Sequence, residues 1–142
     1  PIFDAHCSTD RAQMFFHSSS YTANPIACAA ANANLAIWRE EPVLERVALL
    51  AECEAAGFAQ LAEKYPLINL RQCGSIIAAD VEVADEGYLS DLGPRLKAGF
   101  YARDVLLRPL GNTIYLMPPY CITPDQLERV FNVIDDVLAE LF

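Results

Sequence analysis

Two short segments carry the side chains best suited to binding an anion. The first is the polar run His17–Ser20, just before a predicted helix start, where hydroxyls and free backbone N–H groups can bind a phosphate. The second is Arg108, between an apolar run and Pro109, where a fixed guanidinium can hold a carboxylate through two hydrogen bonds. Each has an ordinary alternative, because serine-rich runs are typical of polar loops and an arginine there also suits an ion pair or a side chain lying along apolar neighbours.

The other residues that could take part in catalysis or metal binding have simpler interpretations. Lys64 and Lys97 fall where the pattern predicts solvated helix surfaces, and His6 and His17 lack the neighbours of a triad or a metal site. The five cysteines form no CxxC motif and no Cys/His cluster, which favours reduced thiols in a cytosolic protein over a disulfide framework or zinc. We expect most of them to be buried as small apolar residues.

Composition narrows the class of protein. The chain has 142 residues, 54% of them hydrophobic, which suits a single domain with a substantial core. The formal net charge of −9 argues against binding nucleic acid. No apolar run is long enough to predict a membrane-spanning helix, and the N-terminal segment does not resemble a signal peptide. The first residue is Pro1 rather than methionine, so we expect a processed or truncated chain.

The pattern predicts two helices in the first half. Asn24 and Pro25 are typical of a helix start, and the helix is expected to continue to about Trp38. Four apolar residues at helical spacing predict its buried face: Ile26, Ala30, Ala33 and Ile37. A second helix is expected from Pro42 to just before Pro66, with Gly57 as its weakest point.

The rest of the sequence predicts a small sheet with two more helices. Strands are expected at 67–70 and 75–83, a helix at 90–102, and a hairpin of strands 104–108 and 113–117 that turns at 110–112. Thr123 and Gln126 have the spacing of a capping box for a final helix. This order predicts an α/β fold, a two-layer sandwich with a small, mostly antiparallel sheet and helices packed on one face.

Two segments resemble the class III aminotransferases, which are pyridoxal-phosphate enzymes of fold type I. His17–Ala31 is similar to their signature H-G-x-T-[FY]-x-G-N-P-x-A-C-A-A-A, although serine and alanine replace its two glycines at Ser18 and Ala23, and Ser20 replaces its threonine. Leu107–Tyr120, which reads LRPLGNTIYLMPPY, resembles the biotin-biosynthetic branch of the family.

The resemblance implies a position within a larger enzyme. Residues 1–23 would be the end of the large cofactor domain with its phosphate-contact loop, residues 24–40 a connecting helix, and residues 41–142 the small C-terminal domain. The Schiff-base lysine of the family would lie upstream of Pro1, so no catalytic residue and no metal ligand is expected in this chain.

The resemblance also implies roles for four side chains. Ser19 and Ser20 would contact the phosphate of pyridoxal 5′-phosphate in the partner subunit, and Ser18 would approach the substrate there. Arg108 would bind the carboxylate of 8-amino-7-oxononanoate, which receives an amino group from S-adenosylmethionine. The intact enzyme would be a cytoplasmic homodimer with shared active sites, small-molecule substrates, and neither a nucleic-acid nor a membrane partner.

Two alternatives accompany this interpretation. The chain is otherwise expected to belong to another class III ω-aminotransferase, or to be a stand-alone, non-catalytic binding or interaction domain of the same fold. Under each hypothesis the 142-residue chain by itself is expected to be inactive.

Overall fold

The computed structural model describes residues 4, 7–13, 24–84, 87 and 89–142. His6, His17 and the predicted site residues Ser18, Ser19 and Ser20 lie outside the described residues. The chain divides into two compact units, Pro1–Pro42 and Val43–Phe142, which are described separately below.

The first unit contains a 3₁₀ turn at Arg11–Gln13 and helix α1, Pro25–Glu40. The predicted start is confirmed, because the Asn24 side chain accepts hydrogen bonds from the backbone N–H groups of Ile26 and Ala27 at 3.0 and 3.4 Å. The predicted buried face is wrong: no residue of α1 is buried, and Ile26 is 80% exposed. Among the described residues of this unit, none forms a second layer that covers a face of the helix.

The second unit is a two-layer α/β sandwich. Its elements are α2 (Val43–Lys64), β1 (Leu67–Cys73), β2 (Ile76–Val81), α3 (Leu92–Tyr101), β3 (Thr113–Leu116) and α4 (Pro124–Ala139). The strands form one antiparallel sheet in the order β1-β2-β3. Alternate residues of β2, namely Ile77, Ala79 and Val81, are buried, whereas Ile76 is exposed, so the sheet buries one face. The predicted fold class is confirmed.

Helix α2 runs unbroken through Gly57. A Cβ at this position would lie 2.4 Å from the ring of Phe131 on α4, so only glycine lets the ring approach this closely. Phe131 also meets Phe58 edge-to-face, with ring centroids 5.9 Å apart. The glycine that weakens the sequence pattern of the helix therefore has a packing role.

The predicted hairpin is only half correct, because residues 104–108 form no strand. They begin with the end of α3: Asp104 has φ of 58°, and the N–H groups of Asp104 and Val105 donate to the carbonyls of Tyr101 and Phe100 at 3.2 and 3.1 Å. This is a Schellman motif, which turns the chain away from the sheet. Pro109, which lacks an N–H donor, further weakens strand pairing.

The predicted turn within that hairpin is confirmed. Leu110 and Thr113 exchange two backbone hydrogen bonds of 2.9 and 3.0 Å, and the positive φ of Gly111, 60°, fits the first central position of a type II′ turn. The capping box of α4 is also confirmed, since Thr123 and Gln126 each accept a hydrogen bond from the other's backbone through a side-chain oxygen.

All five cysteines are exposed and unpaired by disulfides, so the expectation that most are buried is wrong. They lie on the exposed helix α1, at an exposed position of α2, at the end of β1 and in connecting segments. In the part of the chain that the structure describes, no helix combines the length and apolar character needed to cross a bilayer.

Candidate anion-binding site

Arg108 is positioned by the two turns on either side of it. The Schellman motif buries Val105 as the chain leaves α3, and the type II′ turn then reverses the chain into β3. Because of this reversal, residues 105–108 and 115–119 line the same cavity.

The turn itself is held by Asn112, which is buried. Its side-chain amide donates to the carbonyl of Val81 at 3.0 Å, and its side-chain oxygen accepts from the N–H of Gly87 at 3.0 Å. The backbone carbonyl of Asn112 also accepts from the N–H of Val81 at 2.8 Å. At Gly93 on α3, a Cβ would lie only 2.8 Å from the carbonyl oxygen of Gly111. Helix α3 and strand β2 thus fix the start of β3.

The cavity beside Arg108 has a volume of about 350 Å³, within the usual range of small-molecule sites. Among the described residues that line it, Arg108 is the only charged one, and the phenol of Tyr115 is the other strongly polar group. The rest of the wall is apolar, formed by Val105, Leu106, Leu107, Leu116, Met117, Pro118, Pro119, Ile122, Leu127 and Val130. One cation in an apolar wall suits an anionic ligand with a hydrocarbon body.

The guanidinium of Arg108 is exposed and makes no hydrogen bond or ion pair with any residue that the structure describes. Other arginines of the same unit are engaged, as Arg103 is with Glu140 and with Asp136, the latter at 3.9 Å. The structural ion pair that sequence reasoning left open is therefore not formed among the described residues. Its donor groups stay available to a ligand, and the carboxylate-binding role remains a prediction.

A second cavity of about 360 Å³ adjoins the first and shares Ile122 and Leu127 with it. It lies between α2 and the start of α4, and the other lining residues are Arg46, Leu49, Leu50, Cys53, Tyr120, Cys121, Thr123 and Pro124. Arg46 is the one charged side chain among these described lining residues.

Neither lysine lines a cavity by Arg108. Lys64 Nζ lies 2.8 Å from Asp135 Oδ2, and this hydrogen bond is the main reason why the pKa of Asp135 is below its usual range. Lys97 lies over the ring of Tyr101, 5.2 Å from its centroid. The expectation of solvated lysines on helix surfaces agrees with Lys64, whose side chain is 56% exposed despite its ion pair.

Sequence reasoning missed a polar network on the exposed face of the sheet. The Asp80 carboxylate accepts hydrogen bonds from Arg71 at 2.9 and 3.1 Å, from Thr113 at 2.7 Å and from Asn69 at 3.2 Å. Burial raises the pKa of Asp80, but these donors outweigh it and hold the pKa below its usual range. Asn69, whose φ is 53°, lies in a β-bulge that brings its side chain to the carboxylate. No short sequence motif predicts this bulge.

Fold and site together define an α/β domain with a mostly apolar cavity, beside the exposed Arg108, at the end of a short antiparallel sheet. The profile of the family Aminotransferase class-III matches residues 2–138. The chain belongs to the class III aminotransferase family, as the sequence resemblance predicted.

Individual proteins agree with this assignment. The chain is 39% identical over 140 residues to an adenosylmethionine-8-amino-7-oxononanoate aminotransferase from Synechococcus elongatus, covering 99% of this chain and 32% of that protein. It is 38% identical over 133 residues to the protein of the same name from Helicobacter pylori, covering 89% and 29%. A solved amine transaminase from an uncultivated Pseudomonas species, in its pyridoxal-phosphate-bound form, superimposes with a TM-score of 0.79 at 26% identity, covering 98% and 33%. The chain spans about a third of the length of the relatives it matches.

The described residues do not fit pyridoxal phosphate by themselves. Both lysines of the chain interact with other side chains, and neither lines the Arg108 cavity. The serines predicted to contact the phosphate lie outside the described residues.

Proposed function

We propose that this chain is the C-terminal part of a pyridoxal-phosphate-dependent aminotransferase of biotin biosynthesis. The whole enzyme transfers an amino group from S-adenosylmethionine to 8-amino-7-oxononanoate and forms 7,8-diaminononanoate. Two curated relatives that carry this activity in their names, at 39% and 38% identity, support the choice within the family.

The observation that carries the proposal is the Arg108 guanidinium at the edge of an apolar cavity, where no described residue pairs with it. The amino-group acceptor is a carboxylate on a hydrocarbon chain, and the two parts of the cavity match the two parts of that molecule. Arg108 binds the carboxylate, and apolar side chains such as Leu107 and Met117 contact the methylene chain. This binding orients the substrate, so that its reacting carbonyl meets the amino group in a fixed geometry.

The remaining parts of the proposal rest on the family resemblance. When bound, pyridoxal phosphate supplies the electron sink of the reaction. Ser19 and Ser20 contact the cofactor phosphate in the partner subunit of a cytoplasmic homodimer, and Ser18 approaches the substrate there. Residues 1–23 end the large domain, 24–40 form the connecting helix, and 41–142 form the small domain.

A second candidate is another class III ω-aminotransferase. The similarity to the solved amine transaminase, with a TM-score of 0.79, supports it. The Arg108 cavity favours the first candidate, because its single cation is matched to an acceptor that carries a carboxylate. A non-catalytic binding domain would bind a ligand in this cavity without catalysing amino-group transfer.

Binding of 8-amino-7-oxononanoate to the 142-residue chain, followed by titration calorimetry or chemical-shift changes, tests the role of Arg108. We expect binding to be lost in Arg108→Ala and retained in Arg95→Ala, a matched control because Arg95 is exposed on α3 and does not line the cavity. Equal binding by the Arg108 variant would remove this residue from the site. An amine without a carboxylate that competes fully for the site would favour the second candidate.

The expected inactivity of the isolated chain has its own test. After incubation with pyridoxal phosphate and borohydride reduction, we expect no stoichiometric adduct in the intact mass, because Lys64 is held by Asp135 and Lys97 lies over Tyr101. One adduct per chain on either lysine would contradict this part of the proposal.

A further inference from the structure

Among the described residues, only Glu54 has a fully buried side chain in which every polar atom lacks a hydrogen-bond partner. It lies on the face of α2 that contains Leu50, Phe58 and Leu61, and its exposure is 0%. Neither carboxyl oxygen has a hydrogen-bond partner. An ionised carboxylate in such a place has lost its hydration and gained nothing in return.

The charged groups on the elements that pack against α2 either form ion pairs with residues other than Glu54 or are exposed. On the two strands, Arg71 and Asp80 bind each other. On α4, which contacts α2 through Phe131 and Gly57, Asp135 binds Lys64 and Asp136 binds Arg103. The other titratable side chains of these elements are exposed: Cys73, Asp125, Glu128 and Arg129. None of these side chains makes a hydrogen bond or an ion pair with Glu54.

The Glu54 side chain has 0% exposure, so water does not reach the carboxyl from the surface of the structure. A carboxyl without hydration and without a hydrogen-bond partner favours its neutral, protonated form. In agreement, desolvation by burial raises the pKa of Glu54 from 4.5 to about 7.

We propose that Glu54 is a proton-sensitive packing element, whose carboxyl is protonated while α2 lies on the sheet and whose ionisation loosens α2 from strands β1 and β2. The direction follows from linkage. A carboxyl with a raised pKa in the folded state gives its full contribution below pH 4.5, and that contribution is lost as the pH rises to about 7.

This element is connected to the Arg108 cavity through packing. Helix α2 meets α4 where the ring of Phe131 covers Gly57, and Leu127 and Val130 of α4 line the cavity. A loosened α2 removes the support on one side of α4. Ionisation of Glu54 therefore weakens the cavity without any contact with the ligand.

Carboxyl-carbon NMR of the ¹³C-glutamate-labelled chain tests the proposal directly. We expect the resonance that disappears in Glu54→Gln, and that persists in Glu52→Gln, a change at an exposed position of the same helix, to titrate near pH 7. Titration of Glu54 near pH 4.5 would overturn the proposal.

Urea unfolding at several pH values gives the second measurement. Relative to Glu54→Gln, the unfolding equilibrium constant of the wild type should rise on the order of 100-fold between pH 4.5 and pH 8. Glu52→Gln should leave that pH dependence unchanged, and Glu54→Met, which keeps the position filled without a titratable group, should abolish it. Identical pH profiles for wild type and Glu54→Met would contradict the proposal even if Glu54→Gln does not fold.

Discussion

Arg71 and Arg108 belong to the same small sheet and its connections, yet their surroundings differ completely. Arg71 forms two hydrogen bonds with Asp80, and Thr113 and Asn69 complete the bonding of that carboxylate. Arg108 has no such partner among the described residues and lies beside an apolar cavity. A polar cavity of about 340 Å³ at the Asp80 network is similar in size, so volume does not separate the two regions.

The difference lies in whether the charge is already satisfied. A bidentate pair closed by further donors holds the strands together, and both oxygens of its carboxylate already accept hydrogen bonds within the protein. The Arg108 guanidinium has no ion-pair partner among the described residues and lies next to hydrocarbon walls, so its donors are open to a ligand. This contrast predicts that changes at Arg108 affect binding and changes around Asp80 affect stability.

The largest effect is expected at Arg108. In the aminotransferase that contains this chain, Arg108→Ala should lower kcat/KM for 8-amino-7-oxononanoate on the order of 100-fold, because a charge-assisted pair with the substrate is lost, about 3 kcal/mol. Arg108→Lys should recover part of the loss, and the melting temperature should stay unchanged. Steady-state kinetics with both variants measure this. A large drop in melting temperature would place Arg108 in the same structural class as Arg71.

A smaller effect, on stability, is expected at Asn112, which connects the two regions. Asn112→Ala removes two hydrogen bonds to backbone groups and should lower the free energy of unfolding by about 2 kcal/mol. Because Asn112 fixes the turn before β3, ligand binding at Arg108 should weaken only as the unit unfolds. Urea denaturation together with ligand titration separates the two effects. Loss of binding in a fully folded variant would show that the turn acts on the site directly.

The smallest effect is expected at Asp80. Asp80→Asn should cost about 1 kcal/mol, because Arg71 is half exposed and regains water when the pair is lost. In the wild type, the lowered pKa of Asp80 means that its stabilisation is present above pH 3.8 and disappears as the pH falls through the lower folded-state value. Acid unfolding curves of wild type and variant should therefore converge at low pH. Curves that stay parallel would contradict this assignment.

Local signals predicted most of the elements correctly. Asn24 and Thr123 announce helix starts through side-chain hydrogen bonds to nearby backbone groups, and Gly111 marks a turn through its freedom at positive φ. These interactions span a few residues, so a single sequence contains them completely. The family resemblance rests on motifs of the same short range.

The failures concern partners that are distant in sequence. Val105–Leu107 have the apolar character of a strand, but the Schellman motif at Asp104 directs the chain away from the sheet. Gly57 weakens the helix pattern in the sequence, and only its close contact with the Phe131 ring explains why a glycine lies there. A glutamate such as Glu54 is typical of a surface position, but the packing of α2 buries it. The sequence shows Arg108 as a cation beside apolar residues, whereas only the fold shows that no described residue pairs with it.

Helix α1 has a thermodynamic consequence of its own. Its 16 residues bury no side chain, so its hydrogen bonds are supported by the Asn24 cap and by the alanine content rather than by packing. A helix of this length is near the midpoint of its helix–coil equilibrium in water. On heating, its circular dichroism signal should decline gradually over a broad range, while residues 43–142 melt in a single sigmoidal transition. The slope of the baseline before that transition is then a measure of how much of α1 is helical.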